Sequence, residues 1–279
     1  MSATPTLAPT RPQPQLRSGG IGSLYAGNSR SVIGRGLLAT KSSNWLVILS
    51  GFFEPVFYLL SLGIGLGALV GPVTTSTGQH VPYAAFIAPA LLAVSAMNGA
   101  IFDSTWNVFF KMHFAKIYEG MLATSLGPLD VAFGEIFLAL LRGGIYAAGF
   151  LIVMQVLGLN LAWSAVLALP AVLLIAFGFA SLGMAITSYM KTFQQMDWIN
   201  FIILPMFLFS ATFYPLSVYP QAIQWIIQVF PLWHGVELVR GLTTGALSWA
   251  MLGHVAYFVV MIAVGLTFTT RRLRALFLN

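Results

Sequence analysis

Two ionisable residues inside apolar stretches are the first candidates for chemistry in this sequence. Glu54 and Arg142 each lie well within a run of apolar residues. A charge at the centre of a bilayer costs about 2.5 to 3.5 kcal/mol on insertion scales, so such residues normally face a protein interior or a partner charge. The sequence therefore predicts a Glu54–Arg142 ion pair, within one chain or between two copies. The alternative for Glu54 is a protonated carboxyl group bonded to a neighbouring backbone carbonyl.

A second polar set follows a proline-punctuated segment late in the chain. His234, Glu237 and Arg240 are spaced three residues apart, so they share one face if the segment is helical. The apolar helix predicted before them, over 221–229, is too short to cross a bilayer, which favours a re-entrant or interfacial hairpin. We interpret the polar set as an ion pair that holds this hairpin or, alternatively, as a gate contact at an outer exit.

The sequence lacks the residue patterns that are typical of enzyme active sites. There are no cysteines, which excludes a thiol nucleophile, a disulfide framework and a thiolate metal site. The four histidines fall in different segments, and no paired carboxylates or His-Glu-x-x-His motif stands out. The stretch GRGLLATKSS lacks the glycine that a phosphate-binding loop places before its lysine. We therefore expect no catalytic residue, no metal site and no nucleotide site in this chain.

The composition of the chain predicts its fold class, and hence the kind of element that carries these residues. The chain has 279 residues, of which 58% are hydrophobic and 7% charged, against about 25% charged in a soluble domain. This predicts an all-α integral membrane protein. A spanning helix needs about 20 mainly apolar residues. Six stretches meet this requirement, at 45–69, 83–109, 129–157, 164–187, 196–214 and 248–270. In the first of them Gly63, Gly67 and Gly71 recur every four residues, which favours close helix packing.

The two ends of the chain differ from the spans in composition. Residues 1–24 are rich in Pro, Thr, Ser and Gly and have no apolar run, which predicts a disordered tail rather than a signal peptide. Residues 25–44 alternate basic and apolar positions. That pattern indicates either a helix lying in the membrane interface or an ordinary basic flank of the first span. Residues 276–279 form a short C-terminal tail.

The positions of Lys and Arg predict the topology. Of the 13 basic residues, only Arg240 falls on one side of the predicted spans, Arg142 falls within a span, and the rest fall on the other side. Because Lys and Arg are retained in cytoplasmic loops, both termini are predicted to be cytoplasmic. Four acidic residues near the same span ends are interpreted mainly as solvated boundary residues: Asp103, Asp130, Glu135 and Asp197. The alternative for Asp103 and Asp197 is that they cap or orient the polar segment between the second and third spans.

The loop between the second and third spans is unusually polar for this chain. Read as a helix, it carries an apolar face, and its charged residues Lys111, Lys116 and Glu119 lie elsewhere on the surface. The apolar face consists of Phe114, Ile117, Tyr118, Met121 and Leu122. We interpret the loop as an amphipathic helix that either lies in the interface between two spans or binds a cytoplasmic partner.

An ordered set of segments resembles a known family. It comprises Glu54-Pro55, then YAAFIAPALLAVSAMNGAIFDSTW, then KMHFAKIYEGMLATSLGPLDVAFGE, and finally FYPLSVYPQAIQWIIQVFPLWHGVELVRGL. In this order and spacing the chain is similar to the permease subunits of type-2 ABC exporters, over about residues 25–275. Within them it most resembles the branch of nodulation lipo-oligosaccharide exporter permeases and daunorubicin-resistance-type permeases.

The resemblance implies an exporter transmembrane domain with defined partners. Such permeases have six spans, an N-terminal interfacial helix and an extracellular re-entrant hairpin, and they form homodimers or heterodimers in the bacterial plasma membrane. Two separate ABC ATPase subunits bind ATP and Mg and receive a cytoplasmic coupling helix of the permease. The implied contacts are Lys116, Tyr118, Glu119, Met121 and Leu122. Relatives often have proline near the end of this helix, whereas this chain has Ser125 and a later Pro128, so the helix end is expected to shift by one turn.

The resemblance also implies a transport mechanism. We expect ATP-driven alternating access that exports an amphipathic drug, lipid or lipo-oligosaccharide, with membrane lipid and no nucleic acid among the partners. Aromatic residues of the first and fifth spans are candidates for the path: Phe52, Phe53, Phe57, Phe207 and Phe209. The alternatives are a polysaccharide-exporting ABC permease, a proton-coupled secondary transporter that uses Glu54 and Arg142, and a membrane enzyme or scaffold.

Overall fold

The computed structural model describes residues 27–41, 53, 55–75 and 78–277. The predicted tail over 1–24 lies outside the described residues, as do Phe52 and Glu54. The described chain is built from helices joined by short turns, which agrees with the predicted all-α class. The exception is a small antiparallel hairpin, β1 (Val73–Thr74) with β2 (His80–Val81), in a loop predicted without strands.

Among the described residues, four helices are long and apolar enough to cross a membrane. They are α3 (Tyr83–His113), α5 (Pro128–Val156), α6 (Trp163–Thr187) and α10 (Ala250–Phe277). At 1.5 Å per residue, the 31 residues of α3 reach about 46 Å, well beyond a hydrocarbon core of about 30 Å. They coincide with the second, third, fourth and sixth predicted spans.

The other two predicted spans contain helices in their described parts, and residues 45–52 of the first span lie outside the described residues. In the first predicted span, α2 (Pro55–Val70) is described, and it is π-helical over Leu59–Leu66. The fifth predicted span contains α7 (Asp197–Phe209), which ends five residues earlier than the prediction of 214. It ends where the Ser210 hydroxyl donates to the Met206 carbonyl and Ala211 takes a left-handed backbone with φ 55°. The count of six spans therefore stays a prediction.

Close helix contacts at glycine hold the centre of the bundle together. Helix α6 lies between α3, α5 and α10, and glycines allow its neighbours to approach. A Cβ atom added at Gly265 of α10 would lie 2.6 Å from the Ser181 carbonyl carbon of α6. In the glycine series of the first span, Gly63 approaches Ala84 of α3, where an added Cβ would lie 3.3 Å from the alanine Cβ. Gly71 instead ends α2 with φ 74°.

The N-terminal helix α1 (Ser29–Lys41) packs along α5. Val32 is buried against Gly134, where an added Cβ would lie 2.4 Å from a valine methyl group. A helix is thus confirmed in the segment predicted to be interfacial, and its position in the membrane interface stays a prediction. The basic residues Arg30 and Arg35 lie on its exposed side.

Basic residues that are predicted to be cytoplasmic lie at one end of the bundle, which we call the basic end. There Arg272 of α10 donates to the Ser188 carbonyl after α6, and the His113 ring bonds to the Met190 carbonyl. Lys111 at the end of α3 pairs with Glu135 of α5 at this same end. The basic residues that sequence counting put on one side of the membrane therefore meet at one end of the fold.

At the opposite end the chain forms a helix–turn–helix. The predicted short helix is confirmed as α8 (Gln221–Val229), and α9 (Pro231–Thr244) follows after the extended residue Phe230. Helix α9 packs against α3 and α10, and the Ser164 hydroxyl at the start of α6 donates to the Leu242 carbonyl. How deeply this hairpin enters a membrane stays a prediction.

Candidate binding cavity and partner surface

A cavity of about 850 Å³ lies between α2, α3, α5 and α7. Its walls combine apolar side chains with amides, hydroxyls and one ion pair. The described lining residues are Pro55, Tyr58, Leu91, Val94, Ser95, Asn98, Gly99, Phe102, Asp103, Arg142, Tyr146, Asn200, Ile203, Leu204 and Phe207. A space of this size accepts a drug-sized molecule or a head group with part of its chain.

The ion pair in this cavity joins two spans. Arg142 Nη1 of α5 donates to Asp103 Oδ1 of α3 over 2.7 Å. Asp103 begins a π-helical turn (Asp103–Asn107) inside α3, and Asn107 donates its side-chain amide to the same carboxylate. Such wide turns inside long helices often mark functional sites, because they redirect side chains and free backbone groups. The π turn thus brings the Asn107 amide to the carboxylate that pairs with Arg142.

Arg142 therefore has a carboxylate partner that differs from the predicted one. The sequence favoured Glu54, which lies outside the described residues, so that contact stays a hypothesis. Asp103 was interpreted as a solvated boundary residue, and this interpretation is wrong: its side chain is 10% exposed and ion-paired inside the bundle. Sequence spacing concealed the pair because its members are 39 residues apart on different helices.

Of the aromatic residues predicted to line a path, Phe207 is the one that lines this cavity among the described residues. Its ring contacts the edges of Tyr58 and Phe213. Phe53 and Phe57 stack on each other outside the cavity, and Phe57 is 62% exposed. Phe209, the last residue of α7, is 46% exposed and is also absent from the cavity lining. These three residues are not among the described lining of the cavity, and their assignment to a substrate path stays a prediction.

The segment predicted to couple to a partner is a short helix at the basic end. It is α4 (Ile117–Leu122), six residues long, and it starts after Lys116, whose backbone is left-handed with φ 48°. The turn at 114–116 separates α4 from α3, so the helix predicted from Phe114 onward begins only at Ile117. Phe114, predicted on the apolar face, is 62% exposed. The helix after it begins at Gly127 and Pro128, where the Asp130 side chain accepts from the Gly127 amide.

Burial divides the five predicted coupling contacts into two groups. Tyr118, Met121 and Leu122 are buried in this chain's own core, with Tyr118 0% exposed. They hold α4 in place and present little surface, and their assignment as partner contacts stays a prediction. Lys116 and Glu119 are exposed on the outside of α4. Burial raises the pKa of Tyr118 well above its usual range, and nearby Glu135 adds to the effect.

Glu135 connects three elements at this end. Its carboxylate accepts from Arg35 of α1 at 3.4 Å and from Lys111 of α3, while its own side chain is 4% exposed. Helix α4 lies beside it, with the Tyr118 hydroxyl buried and, among the described residues, without a hydrogen-bond partner. The N-terminal helix, the end of α3 and the start of α5 are therefore tied together next to the exposed surface of α4. Sequence reasoning missed this cluster, since Glu135 was interpreted as a boundary residue.

The polar set of α9 is an internal clamp. Arg240 pairs with Glu237 at 2.7 Å and donates to the backbone carbonyls of Phe86 at 3.2 Å and Ala211 at 2.9 Å. Its guanidinium group also lies over the Phe86 ring, 3.9 Å from the centroid. These contacts fit the predicted ion pair that holds the hairpin rather than a gate contact, because Arg240 is 3% exposed.

His234 does not join this ion pair. Its Nδ1 atom lies 2.8 Å from Nδ1 of His254 on α10, and its ring stacks on Tyr257. Burial and the neighbouring His254 lower the pKa of His234 to about 4. One imidazole ring therefore donates a hydrogen bond and the other accepts it, which links α9 to α10. The sequence held no signal for this contact, since the histidines are 20 positions apart on separate helices.

The sequence of this chain matches a family of membrane transporters. The model of the ABC-2 type transporter family matches residues 29–244, so the chain belongs to that family. It is a membrane-embedded permease, and the matched region includes every described residue that lines the cavity.

The chain is similar over most of its length to proteins called nodulation protein J. The chain is 33% identical over 259 residues to nodulation protein J of Rhizobium leguminosarum bv. viciae, which covers 91% of this chain and 98% of that protein. It is 30% identical to nodulation protein J of Rhizobium leguminosarum bv. trifolii over 86% of this chain and 90% of that one. With nodulation protein J of Sinorhizobium fredii it shares 33% identity over 74% of this chain and 77% of the relative.

Proposed function

We propose that this chain is the permease subunit of an ATP-driven exporter, which moves an amphipathic molecule out of the cell by alternating access. The cavity carries this proposal. Its Asp103–Arg142 pair and amides face the same space as Phe102, Leu204 and Phe207, so one wall can bind a polar head group while another contacts an apolar chain. In this proposal both termini and the basic end face the cytoplasm, in line with the positive-inside rule.

A second permease subunit is part of the proposal. Helices α2 and α7 border the cavity and also present large apolar side chains on their outer faces, including Phe57, Ile64, Phe201 and Ile202. Helix α7 has 13 residues and is too short to cross a bilayer by itself. A partner subunit packed on α2 and α7 would cover this surface and close the cavity from the side. We propose that two copies of this chain, or this chain and a related permease, meet there.

Two copies of a separate ABC ATPase subunit supply the energy in this proposal, and they bind the ATP and Mg. We propose that each ATPase contacts the exposed side of α4 through Lys116 and Glu119. Support comes from the cluster around Glu135, because it connects the neighbourhood of α4 to α1, α3 and α5. Movement of α4 would thus reach the helix that carries Asp103 and the helix that carries Arg142.

The first experiment isolates the complex. The chain would be purified from its native host by an affinity tag, and vanadate-sensitive ATP hydrolysis would be measured in the purified material. We expect an ABC ATPase to copurify and its activity to respond to added amphiphiles. Transport that persists without the ATPase but collapses with the proton gradient would overturn the proposal in favour of a proton-coupled secondary transporter.

The second experiment tests the contact surface. Glu119→Lys reverses an exposed charge on α4, and we expect about tenfold weaker ATPase binding, the usual effect of losing a charge-assisted hydrogen bond. Arg274→Glu is the matched control, since it reverses an exposed charge at the same end but on α10. If Glu119→Lys bound the ATPase as tightly as the unaltered chain does, α4 would not be part of the contact.

A further inference from the structure

Two histidines meet between the hairpin and the last span, at the end of the bundle opposite the basic end. His234 of α9 and His254 of α10 place their Nδ1 atoms 2.8 Å apart. One Nδ1 atom donates this hydrogen bond and the other accepts it, so a nitrogen lone pair points into the space between the rings. Both side chains are half-buried, and neither lines the cavity between α2, α3, α5 and α7. The pair is therefore a polar site separate from that cavity.

Aromatic side chains hold the two imidazole rings in place. The Tyr257 ring stacks on that of His234 with the centroids 4.0 Å apart, and the Tyr257 hydroxyl donates to the Val229 carbonyl at the end of α8. The Trp233 ring lies edge-on to both histidines, with centroid distances of 4.9 Å to His234 and 5.3 Å to His254. Its buried Nε1 atom has no hydrogen-bond partner among the described residues. A buried donor of this kind is normally satisfied by a further acceptor such as water.

We propose that His234 and His254 bind Zn²⁺ or a divalent transition-metal ion of similar chemistry. Imidazole nitrogen suits Zn²⁺, Ni²⁺ and Cu²⁺, whereas Mg²⁺ and Ca²⁺ prefer oxygen ligands. The described residues contain no cluster of three or more metal-ligating side chains, so this is not a closed structural site. The ion is held by two ring nitrogens and keeps water at its other positions, and such water would offer an acceptor to a neighbouring donor such as Trp233.

The geometry of the pair requires only a small change to accept the ion. Tetrahedral coordination with Zn–N distances of about 2.0 to 2.1 Å sets two ligating nitrogens about 3.3 Å apart. The Nδ1 atoms at 2.8 Å therefore separate by about 0.5 Å through small rotations of the rings. The proton between them moves to Nε2 of the ring that carried it, so both Nδ1 lone pairs face the ion. Both imidazoles stay neutral, and no net release of protons is needed.

An ion at this position would connect the hairpin to the last span. Helix α9 packs against α3, and its Arg240 donates to the Ala211 carbonyl after α7. Two coordinate bonds between α9 and α10 would therefore restrict movement at this end of the bundle. The sequence predicted no metal site because its histidines fall in different segments, and it is the packing of α9 on α10 that brings two of them together.

The residue content of the chain permits a direct binding test. The chain has four histidines and no cysteine, so strong nitrogen or thiolate ligands are limited to four side chains. The full chain would be purified in phosphatidylcholine nanodiscs with an affinity tag that lacks histidine, and titrated with zinc chloride by isothermal titration calorimetry. We expect one Zn²⁺ per chain, tighter binding of Cu²⁺ and no binding of Mg²⁺, the order that imidazole ligands produce.

Asparagine variants identify the ligands. His234→Asn and His254→Asn each keep an amide near the place of Nδ1, which can still bond to the remaining ring, but remove one metal ligand. Each should weaken Zn²⁺ binding by about tenfold or more, since losing a ligand costs at least as much as losing its second-shell support. The matched control is His80→Asn/His113→Asn, in β2 and at the basic end, which should bind one Zn²⁺ with unchanged affinity. This control retains His234 and His254 as its two histidines, so it tests the proposal even if the single variants do not fold.

Trp233 supplies a second readout, which a merely structural histidine pair would not move. Cu²⁺ quenches the fluorescence of an indole ring that lies close to it. We expect quenching that saturates at one Cu²⁺ per chain, is reversed by excess Zn²⁺ and is largely lost in Trp233→Phe. Trp198→Phe, which removes an exposed indole of α7, is the control and should leave the quenching unchanged.

The outcomes decide the metal site independently of the exporter proposal, because the binding is measured without an ATPase. Loss of Zn²⁺ binding in His80→Asn/His113→Asn would overturn the site. Unchanged affinity in both His234→Asn and His254→Asn would also overturn it. Quenching that persists in Trp233→Phe would place the ion elsewhere and contradict the assignment.

Discussion

Two arginines on membrane-associated helices of this chain have contrasting surroundings. Arg240 is 3% exposed and uses its guanidinium group on Glu237, on two backbone carbonyls and on the Phe86 ring. The Arg142 side chain is 35% exposed, contacts Asp103 and faces a cavity. A fully satisfied buried charge stabilises one arrangement of its neighbours. A charge with spare donors at a cavity wall can instead bind something that enters the cavity.

Glu135 lies between these two cases. Its side chain is as buried as that of Arg240, but its partners Arg35 and Lys111 are 42% and 29% exposed. Its two ion pairs are therefore partly solvated, which weakens them. Arg240 is thus a sealed clamp, whereas Glu135 and Asp103 are buried carboxylates whose basic partners are partly exposed. We order the expected effects on stability by the buried groups that each substitution leaves unpaired, from large to small.

The largest effect is expected at the clamp. Arg240→Met removes the partner of Glu237 and the donors to two buried carbonyls, and should lower the free energy of unfolding by about 3 to 5 kcal/mol. Unfolding would be followed by tryptophan fluorescence in detergent. Arg274→Met, at an exposed position of α10, is the control and should change little. A loss below about 1 kcal/mol at Arg240 would contradict its role as a clamp.

An intermediate effect is expected at Glu135. Glu135→Gln keeps the shape of the side chain but removes the charge that Arg35 and Lys111 share, and should lower the free energy of unfolding by about 1 to 3 kcal/mol. Glu119→Gln neutralises an exposed carboxylate nearby and serves as the control. If Glu135→Gln lowered the free energy of unfolding as much as Arg240→Met does, the distinction between a partly solvated site and a sealed site would be wrong.

A small effect on stability is expected at the cavity. The double variant Asp103→Asn/Arg142→Gln removes both charges together and should change the free energy of unfolding by less than about 1 kcal/mol, because no buried charge is left unpaired. The same unfolding assay applies. A loss comparable to that of Arg240→Met would mean that the pair is chiefly a structural element of the bundle.

The smallest effect is expected at Tyr118. Its hydroxyl group is buried and, in the described part of the chain, unbonded, so Tyr118→Phe removes a polar group that gains nothing from burial. The variant should be as stable as the unaltered protein, or more stable by up to about 1 kcal/mol. Tyr118→Ala, which leaves a void next to Glu135, should be clearly destabilising. A large loss in Tyr118→Phe would indicate that the hydroxyl has a bonding partner in the native membrane.

Much of the fold could be predicted because hydropathy acts over long, local stretches. The helix α3 begins at Tyr83, where the second span was predicted to begin, and α8 has the predicted bounds. The prediction for α7 agreed less well, because the apolar sequence predicts a span to 214 whereas Ser210 and Ala211 end the helix at Phe209. Ends of this kind depend on local backbone geometry, which hydropathy does not report.

The sequence by itself determined that this chain crosses a membrane, that its basic residues gather at one end and that His234, Glu237 and Arg240 follow a short helix. These features depend on composition and on spacing along a single segment. Only the tertiary structure decided which charges meet, because Asp103 with Arg142 and Glu135 with Arg35 are pairs between helices. Apolar periodicity carries little information on pairing in a membrane protein, where nearly every face of a helix is apolar. The packing of α2, α3, α5 and α7 therefore had to be known before the cavity and its neutral ion pair could be recognised.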